Sequence, residues 1–428
     1  MGRREIFEAD LTWTGERFER GLRLAIEDGR IAEVGGLRSA PTLRLESRAL
    51  LPGFVNAHSH AFQRGLRGRS EIFARGPGSF WTWRERMYEL AAETDAQRLR
   101  TESLRAFREM LASGITSVGE FHYLHRGPEG EELDRVVLHA AAEAGIRIVL
   151  LNAYYRTGGI GQPLSDVQQR FASSSAEAYW ERLTRLEPAL EPSTQSLGSV
   201  VHSIRAASLE ELAAIHAESR RRGLVFHMHV EEQEREVEEC RAAYGKTPMQ
   251  LILERLQVDS RFTAVHCTHT EPDELRRFAQ ADGTVCLCPL TEASLADGIA
   301  DVPLLMELGA RLCLGTDSNA RICMTEELRW LEYAQRLALR RRGVLSGPAG
   351  DLARGLLDMA TLNGARSLGL EAGRIAPGAL ADFVAIDLDA AVLEGWSEET
   401  LLPALIFGTG NEAIAGACVG GKWRYRRG

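Results

Sequence analysis

The chain has 428 residues, with 51 Lys+Arg against 60 Asp+Glu, a formal charge of −9 and a pI near 5.8. That balance excludes a basic nucleic-acid binder on bulk electrostatics. Hydrophobic residues at 44% and charged residues at 26% exclude a disordered chain, and no stretch of about 20 apolar residues offers a membrane span.

The first residues, MGRREIFEAD, lack the apolar centre of a secretory signal. Alternation of apolar and polar residues follows, and LRLAIEDGRIAEVGG reads as two short strands about an Asp28-Gly29 hairpin. The middle of the chain behaves differently. GITSVGEFHY, GIRIVLLNAYY, SLGSVVHSIRA, GLVFHMHVEE, RFTAVHCTH, GTVCLCPLT and GARLCLGTDS each read as a buried strand ending in polar residues. Helical stretches such as SLEELAAIHAESRRRG and PDELRRFAQADG lie between them. Repeated strand-then-helix units predict an α/β fold with a parallel barrel, whose chemistry sits at the C-terminal strand ends. The end of the chain, GRIAPGALADFVAIDLD and AIAGACVGGKWRYRRG, returns to short alternating strands. The seven cysteines are scattered, and Cys286 and Cys288 alternate along a strand rather than forming a CxxC pair. Reduced core thiols in a cytoplasmic protein are expected.

His58 and His60 end the apolar run LLPGFVNAHSH. Residues i and i+2 of a strand face one side, so both imidazoles can reach one ion; the plainer alternative is a hydrogen-bonded pair. His229 ends LVFHMH, with Glu232 three residues on, His266 ends RFTAVH and Asp317 ends RLCLGTDS. Together they offer a ligand set for one divalent cation, three neutral nitrogens and a carboxylate with room for water. Such a set suits Zn²⁺ best, with Fe²⁺ or Mn²⁺ also compatible. A bound cation would acidify its water. Asp317 can then accept a proton, His266 can orient the nucleophile, and Glu232 can shuttle a proton. The plainer reading of Glu232 is a surface helix start among Glu231, Glu234 and Glu236. His227 is expected to pack or support, His269 to lie on a loop, and His139 and His216 to sit on helices without function. His122 and His125 are left open.

The runs PGFVNAHSHAFQR, HMHVEE, VHCTH and GTDS resemble the amidohydrolase superfamily. HSHAFQR, SFWTWRERMY, EFHYLH, HSIRA, LTEASLADGI and TEELRWLEYAQRL are similar to its formimidoylglutamate deiminase branch. The resemblance implies a distorted (β/α)8 TIM barrel over 53–367 and a small β-sandwich built from 1–52 and 368–428. It implies metal ligands His58, His60, His229 and Asp317, and catalytic Glu232, His266 and Asp317. It also implies a substrate shell of Gln63, Arg84, Tyr123, His202 and Arg205, a small dicarboxylate substrate with a leaving ammonia, and a homodimer. Arginine suits two carboxylates because it binds them bidentately, although Arg84 could instead pair with an acid of its own helix. Trp81 and Trp83 are expected to pack, and Leu66 to Ser79 is a candidate closing segment. Members with two metals bridge them through a carboxylated lysine. Here the only lysines are Lys246 and Lys422, neither at a suitable strand end, so one metal is favoured. Two other readings stand beside this one: a mononuclear aminohydrolase acting on guanine, a triazine or an adenosine derivative, and a catalytically silent scaffold. Retention of all six of His58, His60, His229, Glu232, His266 and Asp317 argues against the scaffold.

Overall fold

The computed structural model describes residues 4–73, 76–347 and 350–427. Residues 74 and 75, inside the expected closing segment, lie outside the described residues.

The N-terminal part supplies β1 (Glu5–Trp13), β2 (Phe18–Arg20), β3 (Arg23–Glu27), β4 (Arg30–Val34) and β5 (Leu43–Pro52). The barrel strands follow: β6 (Phe54–Ser59), β7 (Ile115–His122), β8 (Arg147–Tyr154), β9 (Gln195–Val201), β10 (Phe226–Val230), β11 (Phe262–His266), β12 (Thr284–Leu287) and β13 (Arg311–Leu314). β14 (Phe383–Asp387), β15 (Ile414–Val419) and β16 (Lys422–Arg426) return to the first sheet, whose order is β16-β15-β14-β5-β1-β3-β4 with β2 beside β1. Asp28 and Gly29 join β3 to β4 with φ of 49° and 77°, the paired positive values that suit a twisted hairpin.

β6 to β13 pair in sequence order, every pairing parallel. Every residue of β7 and β8 is buried. That continuous burial is that of strands covered on both faces, not the alternation of a half-wet sheet. Helices α1 (Phe80–Glu93) and α2 (Ala96–Ala112) follow β6, α3 (Asp134–Ala144) follows β7, α4 (Ala176–Leu186) follows β8 and α5 (Leu209–Arg222) follows β9. α6 (Glu234–Tyr244) and α7 (Pro248–Arg255) follow β10, α8 (Pro272–Gln280) follows β11, and α9 (Pro289–Leu295) follows β12. Ser208 starts α5 through a capping box with Glu211, and Gly223 stops it in the left-handed conformation.

The barrel closes beyond the end of β13. His60 N–H donates to Asp317 O at 2.9 Å, and Asp317 N–H donates to His58 O at 3.0 Å. The closing contact therefore sits at the two ends that carry candidate metal ligands. Gly315 is required there, because a Cβ would fall 2.7 Å from both the Cβ and the carbonyl oxygen of His58. On the opposite side, Arg147 fork-bonds Asp382 at 2.7 and 3.0 Å, fixing the terminal sheet to the start of β8.

Candidate active site

The mouth of the barrel is shaped by abrupt turns. Glu231 (φ 54°), His266 (φ 76°) and Asp317 (φ 43°) are left-handed non-glycine residues at strand ends. That conformation is costly and persists where the surroundings over-determine it, typically at functional positions. It turns the chain sharply just where each polar side chain leaves its strand.

Four donor atoms converge there. His229 Nε2 lies 3.2 Å from His58 Nε2 and 3.3 Å from His60 Nε2. Asp317 Oδ1 lies 3.4 Å from His58 Nε2 and 3.3 Å from His60 Nε2. These are not ordinary hydrogen bonds among histidines. His60 Nδ1–H donates to Phe121 O at 2.7 Å, and His229 Nδ1–H donates to His202 O at 2.9 Å. With Nδ1 carrying the proton, each Nε2 presents a lone pair, and the two lone pairs face each other beside a carboxylate. Burial pulls all three imidazoles down, His58 to about 3, which keeps them neutral. Converging lone pairs and one carboxylate oxygen repel unless a cation lies between them, so these residues could hold a metal ion.

A second set shares Asp317. His266 Nε2 lies 3.7 Å from Asp317 Oδ2 and 3.8 Å from Glu232 Oε1, and has no hydrogen-bond partner. Its Nδ1 meets Glu292 Oε1 at 3.2 Å, and Glu292 is held by Cys288 N–H at 2.8 Å. Burial opposes charge on His266, but the carboxylates of Glu232, Glu292 and Asp317 outweigh it and push the ring up to about 10. Burial also pushes Glu232 up to about 7. Asp317 is driven the other way: burial opposes its ionisation, and the facing His58 holds it below the usual carboxylate range.

The cavity beside these groups is lined by nine of the eleven candidate residues: His60, Gln63, Arg84, Tyr123, His202, Arg205, His229, Glu232 and Asp317. His58 and His266 stand behind them, fully buried. Gln63 Nε2–H donates to Tyr123 Oη at 2.7 Å, while Gln63 Oε1 is buried with no partner. Arg205 Nε–H donates to Glu236 Oε1 at 3.2 Å, and Arg205 reaches Glu232 at 3.9 Å. The alternative of a solvated acidic helix start does not hold for Glu232 or Glu236, because both are buried. Nor does Arg84 pair with an acid of its helix; Arg86 takes Glu89, and Arg84 Nε–H donates to Tyr88 Oη at 2.7 Å.

Sequence reasoning passed over part of the wall. Trp83 lines the cavity rather than only packing, along with Phe80, Met87, Tyr88, Tyr155 and Phe171. The signal was available: Phe80, Trp83, Arg84, Met87 and Tyr88 follow the i, i+3, i+4, i+7, i+8 spacing of one helix face. Trp81, on another face, lies between the guanidinium groups of Arg84 and Arg235 at 5.4 and 4.4 Å. His227 takes no part in the site; its Nε2 meets Ser367 O at 2.9 Å. His122 and His125 belong to a separate buried cluster with Asp134. Lys246 pairs with Glu254 at the surface, and no lysine stands among the candidate metal ligands.

Known proteins share this architecture. The sequence profile of the amidohydrolase family matches residues 49–424. Over 422 residues the chain is 37% identical to the formimidoylglutamate deiminase of Pseudomonas aeruginosa, covering 96% of this chain and 93% of that protein. It is 29% identical to the 5'-deoxyadenosine deaminase of Methanothermobacter thermautotrophicus, covering 87% and 82%. The crystal structure of an amidohydrolase from Brucella melitensis superposes with a TM-score of 0.89 at 33% identity, covering 98% of this chain and 94% of that one.

Proposed function

The chain belongs to the amidohydrolase family, and from that premise we propose that it is a metal-dependent deiminase converting N-formimino-L-glutamate and water to N-formyl-L-glutamate and ammonia. The observation that carries this reading is the lining of one cavity. Metal-type donors line it together with two guanidinium groups, Arg84 and Arg205. A substrate with a reactive amidine at one end and two carboxylates at the other matches both. The deiminase of Pseudomonas aeruginosa, the relative at 37% identity, supports the same choice.

His58, His60, His229 and Asp317 would hold one divalent cation. Zinc is favoured because neutral imidazole nitrogens and a carboxylate oxygen are its usual donors. The donor separations of 3.2 to 3.4 Å would let one ion reach all four. Bound there, the cation would lower the pKa of water toward neutrality and favour its attack on the amidine carbon.

The remaining work falls to side chains. Asp317 presents Oδ1 to the histidines and Oδ2 toward His266, so its second oxygen is placed to take the proton of the attacking water. His266, anchored through Glu292, offers Nε2 to the developing charge. Glu232, with its carboxyl near 7, can hold a proton at neutral pH and hand it to the departing nitrogen, which must leave as ammonia. Gln63 Oε1, buried without a partner, is an acceptor for an amidine N–H. Arg84, Arg205, Tyr123 and His202 then fix the glutamate portion, and this positioning sets the amidine carbon against the water.

The 5'-deoxyadenosine deaminase relative favours a second reading, deamination of a heteroaromatic amine, for which Phe80, Trp83 and Tyr88 would serve as stacking walls. Ammonia release separates the two. Turnover of N-formimino-L-glutamate with none of guanine or 5'-deoxyadenosine supports the deiminase; the reverse pattern overturns it.

A further inference from the structure

The cavity contains two phenols whose hydroxyl protons have no protein acceptor among the described residues. Tyr88 Oη receives Arg84 Nε–H at 2.7 Å and Gln168 Nε2–H at 3.1 Å. Tyr155 Oη receives Gln168 Nε2–H at 2.9 Å. Gln168 is buried, and its orientation is not free. Ser165 N–H donates to Gln168 Oε1 at 2.9 Å, and a backbone N–H can only donate, so the NH₂ end must face the phenols. Gly158 O, 3.2 Å from Gln168 Nε2, reinforces that orientation and is a third acceptor for two N–H groups, so one of them is shared.

Donor accounting gives the consequence. A phenol oxygen already accepting N–H bonds must send its own O–H elsewhere. Among the described residues, neither Tyr88 nor Tyr155 donates to any protein group, and both line the cavity with Arg84 and Arg205. Arg84 spends only Nε–H on Tyr88 and has no carboxylate partner among the described residues, which leaves its terminal N–H groups for an anion. Two phenols with hydroxyl protons unspent on the described residues, beside two guanidinium groups, are complementary to an acceptor-only ligand.

We propose that Tyr88 and Tyr155 are specificity-determining donors to a substrate carboxylate, and that Gln168 is the positioning residue that turns both hydroxyls toward it. The assignment rests on the dicarboxylate reading above and refines its substrate end. Hydroxyls locked as donors also select against ligands that would need an acceptor at this end, such as the amine edge of a base.

The test uses the full chain, with steady-state kinetics on N-formimino-L-glutamate and, separately, calorimetric binding of glutarate as a non-reacting dicarboxylate probe. Y88F and Y155F each remove one donor without changing shape. Each is expected to raise KM and the glutarate Kd about 10-fold, the worth of a hydrogen bond to a charged acceptor, with kcat within about threefold. Q168E keeps the acceptor for Ser165 N–H but captures both phenol protons. It is expected to raise KM and Kd at least as far as Y88F. The triple variant Y88F/Y155F/Q168E is then no weaker than Q168E, because the donors are already lost; simple charge repulsion by the introduced carboxylate would add to the tyrosine losses instead. Unchanged KM and Kd in both phenylalanine variants, or a fall in kcat alone, would overturn the proposal. If the wild type binds glutarate and loses affinity in Y88F and Y155F but does not turn over N-formimino-L-glutamate, the proposed reaction fails and the donor assignment stands. No glutarate binding by the wild type would overturn the donor assignment itself.

Discussion

Replacing Arg205 with Met tests the proposed binding role of this arginine, which also has a structural one. Arg205 is buried, donates to Glu236 at 3.2 Å and lies 3.9 Å from Glu232. Glu236 is fully buried, and its Oε2 has no partner. Removing the guanidinium therefore leaves a buried carboxylate without a countercharge, which costs about 3–5 kcal/mol of stability. On the proposed reading the same substitution would remove a desolvated partner for a substrate carboxylate, a loss of about 2–5 kcal/mol. That corresponds to a fall of about 30-fold to several thousand-fold in kcat/KM.

A second substitution tells the two apart. R205M/E236M replaces the pair with apolar side chains of similar length, which for buried ion pairs is often neutral or stabilising. The double variant should regain most of the stability lost in R205M, read as the midpoint of urea unfolding. It should regain none of the kcat/KM for N-formimino-L-glutamate, read by ammonia release. Recovery of both would make Arg205 a purely structural partner of Glu236 and refute the carboxylate-binding argument. A KM unchanged in R205M would refute it directly.

Asp317→Asn should bring the bound metal well below one ion per chain by elemental analysis, whereas Glu232→Gln should keep the metal and lose about 10²–10⁴-fold in kcat; metal loss in E232Q would move Glu232 into the ligand set. Chelation followed by zinc titration should raise the melting temperature until about one equivalent is bound, since a ligand of the native state stabilises it by mass action; a second stoichiometric, stabilising equivalent would refute a mononuclear site. His216, between Phe226 and Phe262, is lowered by burial to about 4 from 6.5. Its folded pKa is depressed, so the stability it confers is present above pH 6.5 and lost as pH falls toward 4, by up to about 3 kcal/mol. His216→Phe should flatten that part of the stability-versus-pH curve measured by urea unfolding; an unchanged acid slope would refute the assignment.

What could be read from the sequence and what could not divide along a physical line. Strand-borne groups were legible because a strand fixes direction: in a parallel barrel every C-terminal strand end reaches the same mouth. Asp317, 259 residues after His58 in the sequence, could thus be placed beside it before any contact was known, and its backbone closes the barrel against His58 and His60. The hairpin at Asp28-Gly29 was legible for a similar reason, since its positive φ values are a local demand. Groups that depend on how one element leans on another were not. Glu236 looked like one acid in a solvated run until α6 buried it against Arg205. Tyr155 and Gln168 lie on a connection between β8 and α4 with no periodicity to interpret, and their meaning comes from one shared amide. α1 falls between these cases. Its single face of Phe80, Trp83, Arg84, Met87 and Tyr88 is plain in the sequence, but helical spacing says only that a face is covered, not by what. Here the covered face looks into the cavity, and the one charged member of an otherwise aromatic and apolar stripe was the residue that marked it. A lone arginine on a helix face that lines a cavity marks that face, and since the described residues supply it only a phenol oxygen at Nε–H, its terminal N–H groups are open to a ligand.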